Sequence, residues 1–218
     1  YNLDMISSDG RPLKGMPDEI KKLLPKITAS FFVAGAPPGE LQTFRVPLLT
    51  SIINHARHAH MVGVNDEIMA MGLKVDYNKV AKISNALYDV LKDCKRVEVT
   101  TPAGTDFVAY FDEKTHWIPE TGLLRKIGDW DNLPAGEVFS APTGIDGRLV
   151  VDGCVGDWLG HKYNKFVDYS KTPLIIEVAT EGWGTLKSAT CENKDLLDDF
   201  LKYTSQHEYS SRVGELGI

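Results

Sequence analysis

The hydrophobic pattern changes period once, near residue 95, and this limits the possible folds more than any other feature. Before it, "DYNKVAKISNALYDVLKDC" (76–94) repeats apolar residues at helical spacing. Val80, Ile83, Leu87, Val90 and Leu91 share one face, with Lys79, Lys82, Asp89 and Lys92 off it. That face is expected to pack on a sheet. After it, "RVEVTTP" alternates strictly and "TDFVAYFD" follows across the turn "PAG". Period two on both sides of a short glycine turn predicts a β-hairpin. The period switch puts a domain boundary near 92–95. The fold class is then α/β: an N-terminal α/β domain over 1–94, followed by a β-rich α+β domain over 95–218.

Other segments fit this division. Turn residues mark "SDGRP" and "GMPDE", and Pro17 before Asp18 and Glu19 suits the start of a short helix. "ITASFFVAG" (27–35) is an apolar run closed by glycine and proline, which predicts a buried strand. "FRVPLLTSIINHARH" (44–58) spaces Leu48, Leu49, Ile52, Ile53 and Ala56 as a helix does. Asn65 and Asp66 are candidate caps for "VNDEIMAMGL". Beyond the hairpin, "AGEVFSAP", "GRLVVDGCVG" and "TPLIIEVATEGWGTLKSAT" predict strands, with "GWG" as a turn. "NKDLLDDFLKYTSQH" (193–207) predicts a helix capped by Asn193 or Asp195, and the last segment returns to strand.

The formal charge of −6 gives no basis for a nucleic-acid partner. No apolar run approaches the ~18 residues that suggest a membrane span. Cys94, Cys154 and Cys191 are far apart and odd in number. This points away from a disulfide framework or a zinc-thiolate site and toward a reducing, cytoplasmic setting. The opening "YNLDMISSDG" carries no initiator Met and no signal-peptide pattern, which suggests a chain cut at its front.

Several kinds of chemistry lack their motifs. There is no GxSxG elbow, no GxGxxG loop and no GxxxxGK[ST] loop. "NHARHAH" offers His55, His58 and His60. On a helix His55 and His58 would share a face, but no HExxH pattern accompanies them, so solvated or locally bonded histidines are expected. Two glutamates say more. Glu137 in "NLPAGEVFSAP" and Glu215 in "SSRVGELGI" each follow a glycine and precede apolar residues. An ionised carboxylate in an apolar setting needs a cation or a proton. Two carboxylates on neighbouring strands suit a divalent metal, and two strand glutamates facing solvent are the plainer reading.

"NLPAGEVFSAP", the terminal "GELGI" and "VTTPAGTDF" (99–107) together resemble motifs of the metallo-aminopeptidases of the aminopeptidase T/aminopeptidase S group. "ARHAHMVGVNDEIMAMGLKVDY" is similar to a segment of their wider leucyl-aminopeptidase-like relatives. The resemblance covers roughly residues 55–218. It implies an N-terminal α/β domain joined to a catalytic domain with two divalent metals (zinc, cobalt or manganese), with Glu137 and Glu215 as metal ligands. The expected activity is release of N-terminal amino acids from peptides. The remaining ligands of that family, His, Tyr, His and Asp, follow the "GELG" motif, and this sequence stops at Ile218. The chain is therefore expected to be truncated. By itself it is expected to hold no metal tightly, to show no aminopeptidase activity and to associate through an open sheet edge. The catalytic base is left unassigned.

The same resemblance extends to 2,5-dihydroxypyridine 5,6-dioxygenase, an iron enzyme whose His, His and Asp ligands would also fall beyond Ile218. A ring-cleaving dioxygenase is thus the alternative, and a non-catalytic binding domain the third possibility. A peptide or small-molecule substrate and a homodimer are expected. Asp106 in "AGTD" caps the turn or, on the family-like run, lines the approach to the cleft.

Overall fold

A computed structural model describes residues 10–35, 37–181 and 183–218. The turn read at 8–12 lies partly outside these residues, as does Gly182 of the Gly-Trp-Gly turn. The chain forms two compact units. One holds the residues up to Ala86 together with Pro119–Glu137, and the other holds Leu87–Ile118 and Val138–Ile218. The chain first crosses between units inside a helix, a few residues before the period switch at 92–95. It then crosses back for 119–137, a return that the hydrophobic pattern does not mark.

The first unit is α/β. It contains α1 (Asp18–Leu23), β1 (Ala29–Ala34), a wide π-helical turn Leu41–Arg45, α2 (Val46–Ile52), β2 (Arg57–Val62) and α3 (Asp66–Met71). Asn65 caps α3 as expected, its side chain accepting from the Ile68 N–H at 2.9 Å. The helix α4 (Tyr77–Leu91) begins here. Three strands pair in parallel in the order β1-β2-β6, where β6 is Trp130–Asn132 and β5 (Ile118–Glu120) precedes it in the chain. Leu24, Phe32, Phe44, Leu48, Ile52 and Ala56 fill the layer between helices and sheet.

Two expectations need correction here. The helix read over 44–58 stops at Ile52, because the chain turns at 53–56 and enters β2. On β2 the partners change: His58 and His60, two residues apart, share a strand face, while His55 sits in the turn with Nε2 bonded to the Leu24 carbonyl at 2.7 Å. The helix α4 is present but turned from the expected orientation. Ile83 is 63 % exposed and Val90 76 %, whereas Ala81 and Ser84 are buried. The Ser84 hydroxyl donates to the Glu120 carbonyl, and Tyr88 and Leu91 pack on the core of the second unit. The sequence rule picks the most hydrophobic stripe; here close approach of the backbone calls for small residues on the covered side instead.

The second unit is built on a five-stranded antiparallel sheet ordered β10-β9-β8-β4-β3. The predicted hairpin is β3 (Arg96–Thr100) with β4 (Asp106–Tyr110), and Gly104 takes φ +104° at its turn. Then come β7 (Glu137–Ser140), β8 (Gly144–Val151), α5 (Asp157–Tyr163), β9 (Leu174–Ala179), β10 (Thr185–Thr190), α6 (Lys194–Tyr203) and β11 (Leu216–Gly217). Asn193 caps α6 by accepting from the Leu196 N–H at 3.0 Å. Phe107, Ala109, Phe111, Trp117, Val138 and Ile145 form one core, and a second forms where α5 and α6 meet the sheet around Leu159, Leu174 and Leu196. No described helix is long and apolar enough to cross a membrane.

Candidate functional site

Glu137 opens β7 and is half-buried; Glu215 comes just before β11 and is exposed. The two strands pair antiparallel, with Leu216 opposite Ser140 and Gly217 opposite Phe139. Both glutamates lie outside these paired positions. The glycines before them differ. Gly136 has φ +137°, and a Cβ there would stand 3.3 Å from Val80, so this turn needs glycine. Gly214 has open space around it.

Asp106 opens β4 and is exposed on the rim of a shallow polar hollow. Thr101, Thr105, Arg148 and Glu177 are among the residues that line it, and Arg148 Nε donates to Glu177 at 2.6 Å. Thr101 holds the hairpin turn, its hydroxyl accepting from the Thr105 N–H at 3.3 Å and its carbonyl from the Gly104 N–H at 3.0 Å.

The first unit contains an arrangement that the sequence reading missed. Ser30 and Phe32 on β1 stand opposite His58 and His60 on β2, on the face covered by α2. Ser30 Oγ lies 2.7 Å from His58 Nδ1, His58 Nε2 lies 3.1 Å from His60 Nδ1, and Arg45 Nε donates to His60 Nε2 at 3.0 Å. The Phe32 ring stacks on His60 with centroids 4.8 Å apart. Burial lowers the pKa of both histidines to about 4, and for His60 the Arg45 cation adds to it. Beside them Glu40 is fully buried; it accepts from Arg11 Nε and from the Leu13 N–H, each at 2.9 Å, and pairs with Arg11 Nη2. The sequence signal was present in the spacing of "HAH", which on a strand aligns both rings on one face. The neighbouring helical pattern concealed it.

None of this forms a metal centre. Among the described residues no three His, Cys, Asp or Glu gather closely enough to hold an ion. A zinc site normally takes three or four protein ligands. The pair His55 and His58 is separated by the turn, and the ring nitrogens of His58 and His60 are occupied by each other, Ser30 and Arg45. The described residues therefore do not, by themselves, fit a catalytic metal.

A parallel α/β unit and an antiparallel sheet with two helices define the class, a mixed α/β chain of two units. The 2,5-dihydroxypyridine dioxygenase from Pseudomonas putida KT2440 shares it with a TM-score of 0.64 and 21% identity, over 91% of this chain and 52% of that one. Wild-type AmpT from Thermus thermophilus shares it with a TM-score of 0.52 and 18% identity, over 92% of this chain and 57% of that one. The chain thus spans little more than half the length of either, and at these identities the likeness is one of fold. Within that class the model of the NicX family, 2,5-dihydroxypyridine 5,6-dioxygenase, matches residues 55–206. The chain belongs to that family. No curated protein matches it. The aminopeptidase reading of the sequence is supported as to fold by AmpT, while the family model and the dioxygenase neighbour point to a related fold with a different function.

Proposed function

We propose that this chain serves a ring-cleaving dioxygenase acting on a dihydroxylated pyridine or a similar hydroxylated N-heteroaromatic ring. The family match over residues 55–206 carries this reading, and the higher TM-score of the dioxygenase supports it. Iron is the metal that the resemblance implies, and among the described residues no three His, Cys, Asp or Glu gather to hold it. What the chain itself supplies is a scaffold: the α/β unit with its buried histidine chain, the five-stranded antiparallel sheet, and the separate sheet that holds β7 and β11. Asp106 and Arg148, on the rim of the hollow, are the polar groups best placed to meet a hydroxylated ring.

The second reading is the aminopeptidase, favoured by "NLPAGEVFSAP" and "GELGI" and by the AmpT fold. Under it Glu137 and Glu215 are ligands of two divalent metals. Under the oxygenase reading they have no shared ligand role. Glu137→Gln separates the two in a protein carrying this sequence. The expected result is ring-opening activity within about threefold of the parent, with unchanged iron content. Loss of bound metal together with loss of amino-acid release from an aminoacyl anilide would instead establish the aminopeptidase.

A further inference from the structure

A sheet edge exposes a row of free backbone N–H and C=O groups, and folded proteins blunt such edges with charge, proline, bulges or short strands. Among the described strands every edge but one is blunted. β3 carries Arg96 and Glu98, and β10 carries Lys187 and a break in register between Leu186 and Ser188. β5 has Pro119 at its centre, β6 has three residues and β11 two. β1 is the exception. It runs for six residues, Ala-Ser-Phe-Phe-Val-Ala, without charge or proline, and its register with β2 is unbroken. It lies at the margin of the β1-β2-β6 sheet.

Two hydrogen bonds fix the direction of its backbone groups. The Arg57 N–H donates to the Thr28 carbonyl at 3.1 Å, and the Gly63 N–H to the Ala34 carbonyl at 2.9 Å. The even-numbered residues of β1 thus turn toward β2. Alternation along the strand turns the N–H and C=O of Ala29, Phe31 and Val33 outward. Two of these residues also carry exposed apolar side chains: Phe31 is 67 % exposed and Val33 56 %. Phe32, on the opposite face, is buried. Among the described residues no strand pairs with this edge. A free hydrogen-bonding row and two uncovered apolar side chains therefore coincide.

The row is complementary to itself. When two copies of β1 run antiparallel about a two-fold axis at Phe31, Phe31 faces its own counterpart and Val33 faces Ala29 of the second copy. Every outward residue then meets an outward residue, and each facing pair exchanges two backbone hydrogen bonds. The phenylalanines come side by side, and the larger Val33 falls opposite the small Ala29. The strand brings no charge into the contact. A two-fold contact also closes, because it uses both edges and leaves neither free to propagate.

We propose that β1 is a dimerisation edge, joining two copies of this chain antiparallel through Ala29, Phe31 and Val33 so that their two parallel sheets become one. The proposal stands apart from the ring-cleaving reading.

Analytical ultracentrifugation of a protein carrying this sequence, paired with amide hydrogen exchange, is the test. The parent is expected to dimerise as its concentration rises, and the Phe31 and Val33 amides to exchange about tenfold more slowly, or slower still, as it does. Phe31→Lys and Phe31→Glu each set like charges face to face across the axis. Each variant alone is expected to weaken the dimer about tenfold or more. Mixed together they bring opposite charges face to face, and the dimer is expected to return. A parent that stays monomeric overturns the proposal. So does a dimer that both variants leave as tight as the parent's, or a mixture of folded variants that stays monomeric. Slow exchange at Phe31 and Val33 in the monomer would give this edge to another segment of the same protein and overturns it too. The exchange measurement needs only the parent, so it decides the matter even if a variant fails to fold.

Discussion

Gly147 on β8 has φ +126°, and a Cβ there would stand 2.3 Å from the Asp106 carbonyl oxygen and 2.7 Å from Phe107 Cα. Both obstacles are backbone, so nothing flexible can yield. Gly147→Ala is expected to destabilise the protein by about 3 kcal/mol or more, combining left-handed strain with overpacking. A urea midpoint within error of the parent would contradict this register of β4 on β8. The buried histidines set a second expectation at this scale. Their pKa falls from 6.5 in the unfolded chain to about 4 in the folded one. Between those values the unfolded state binds more protons, so stability is whole above pH 6.5 and declines as pH falls toward 4. Each ring, taken alone, is expected to account for a loss on the order of 3 kcal/mol across that window. His58→Gln with His60→Gln should flatten the dependence, as read by chemical denaturation at pH 7 and pH 5. An equally steep decline in the double variant would assign the acid sensitivity elsewhere.

At the scale of elements, the α4 helix shows where sequence and structure part. Leu87 is 37 % exposed and Ala81 5 % exposed. Leu87→Ala is therefore expected to cost less than about 1 kcal/mol, and Ala81→Leu to cost about 1–3 kcal/mol by overpacking. The reverse order in thermal denaturation would restore the apolar stripe as the covered face. The period of a helix is local and was legible in residues 76–94, but which side is covered depends on distant segments such as Glu120, whose carbonyl takes the Ser84 hydroxyl. The same contrast runs through the molecule. The β3–β4 hairpin and the α6 cap were legible because Gly104 and Asn193 act on residues next to them. The β2 strand was not, because its histidines are satisfied by Ser30 and Arg45, which belong to other elements. The candidate site residues were legible only as patterns. Gly136 explains why glycine precedes Glu137, whereas the structure gives no comparable reason for Gly214 before Glu215.

At the scale of the whole molecule, a parallel α/β unit and an antiparallel sheet are assembled from a chain that crosses between them three times. The fold is shared by a dioxygenase and an aminopeptidase, so fold alone does not choose the reaction. The family match favours the ring-cleaving reading proposed above. The most direct measurement is dioxygen uptake by a protein carrying this sequence, loaded with ferrous iron and supplied with 2,5-dihydroxypyridine, followed together with the ring absorbance. Loss of the ring absorbance with one dioxygen consumed per ring is expected, with no release from an aminoacyl anilide. Anilide cleavage in zinc, cobalt or manganese with the pyridine ring left intact would contradict it.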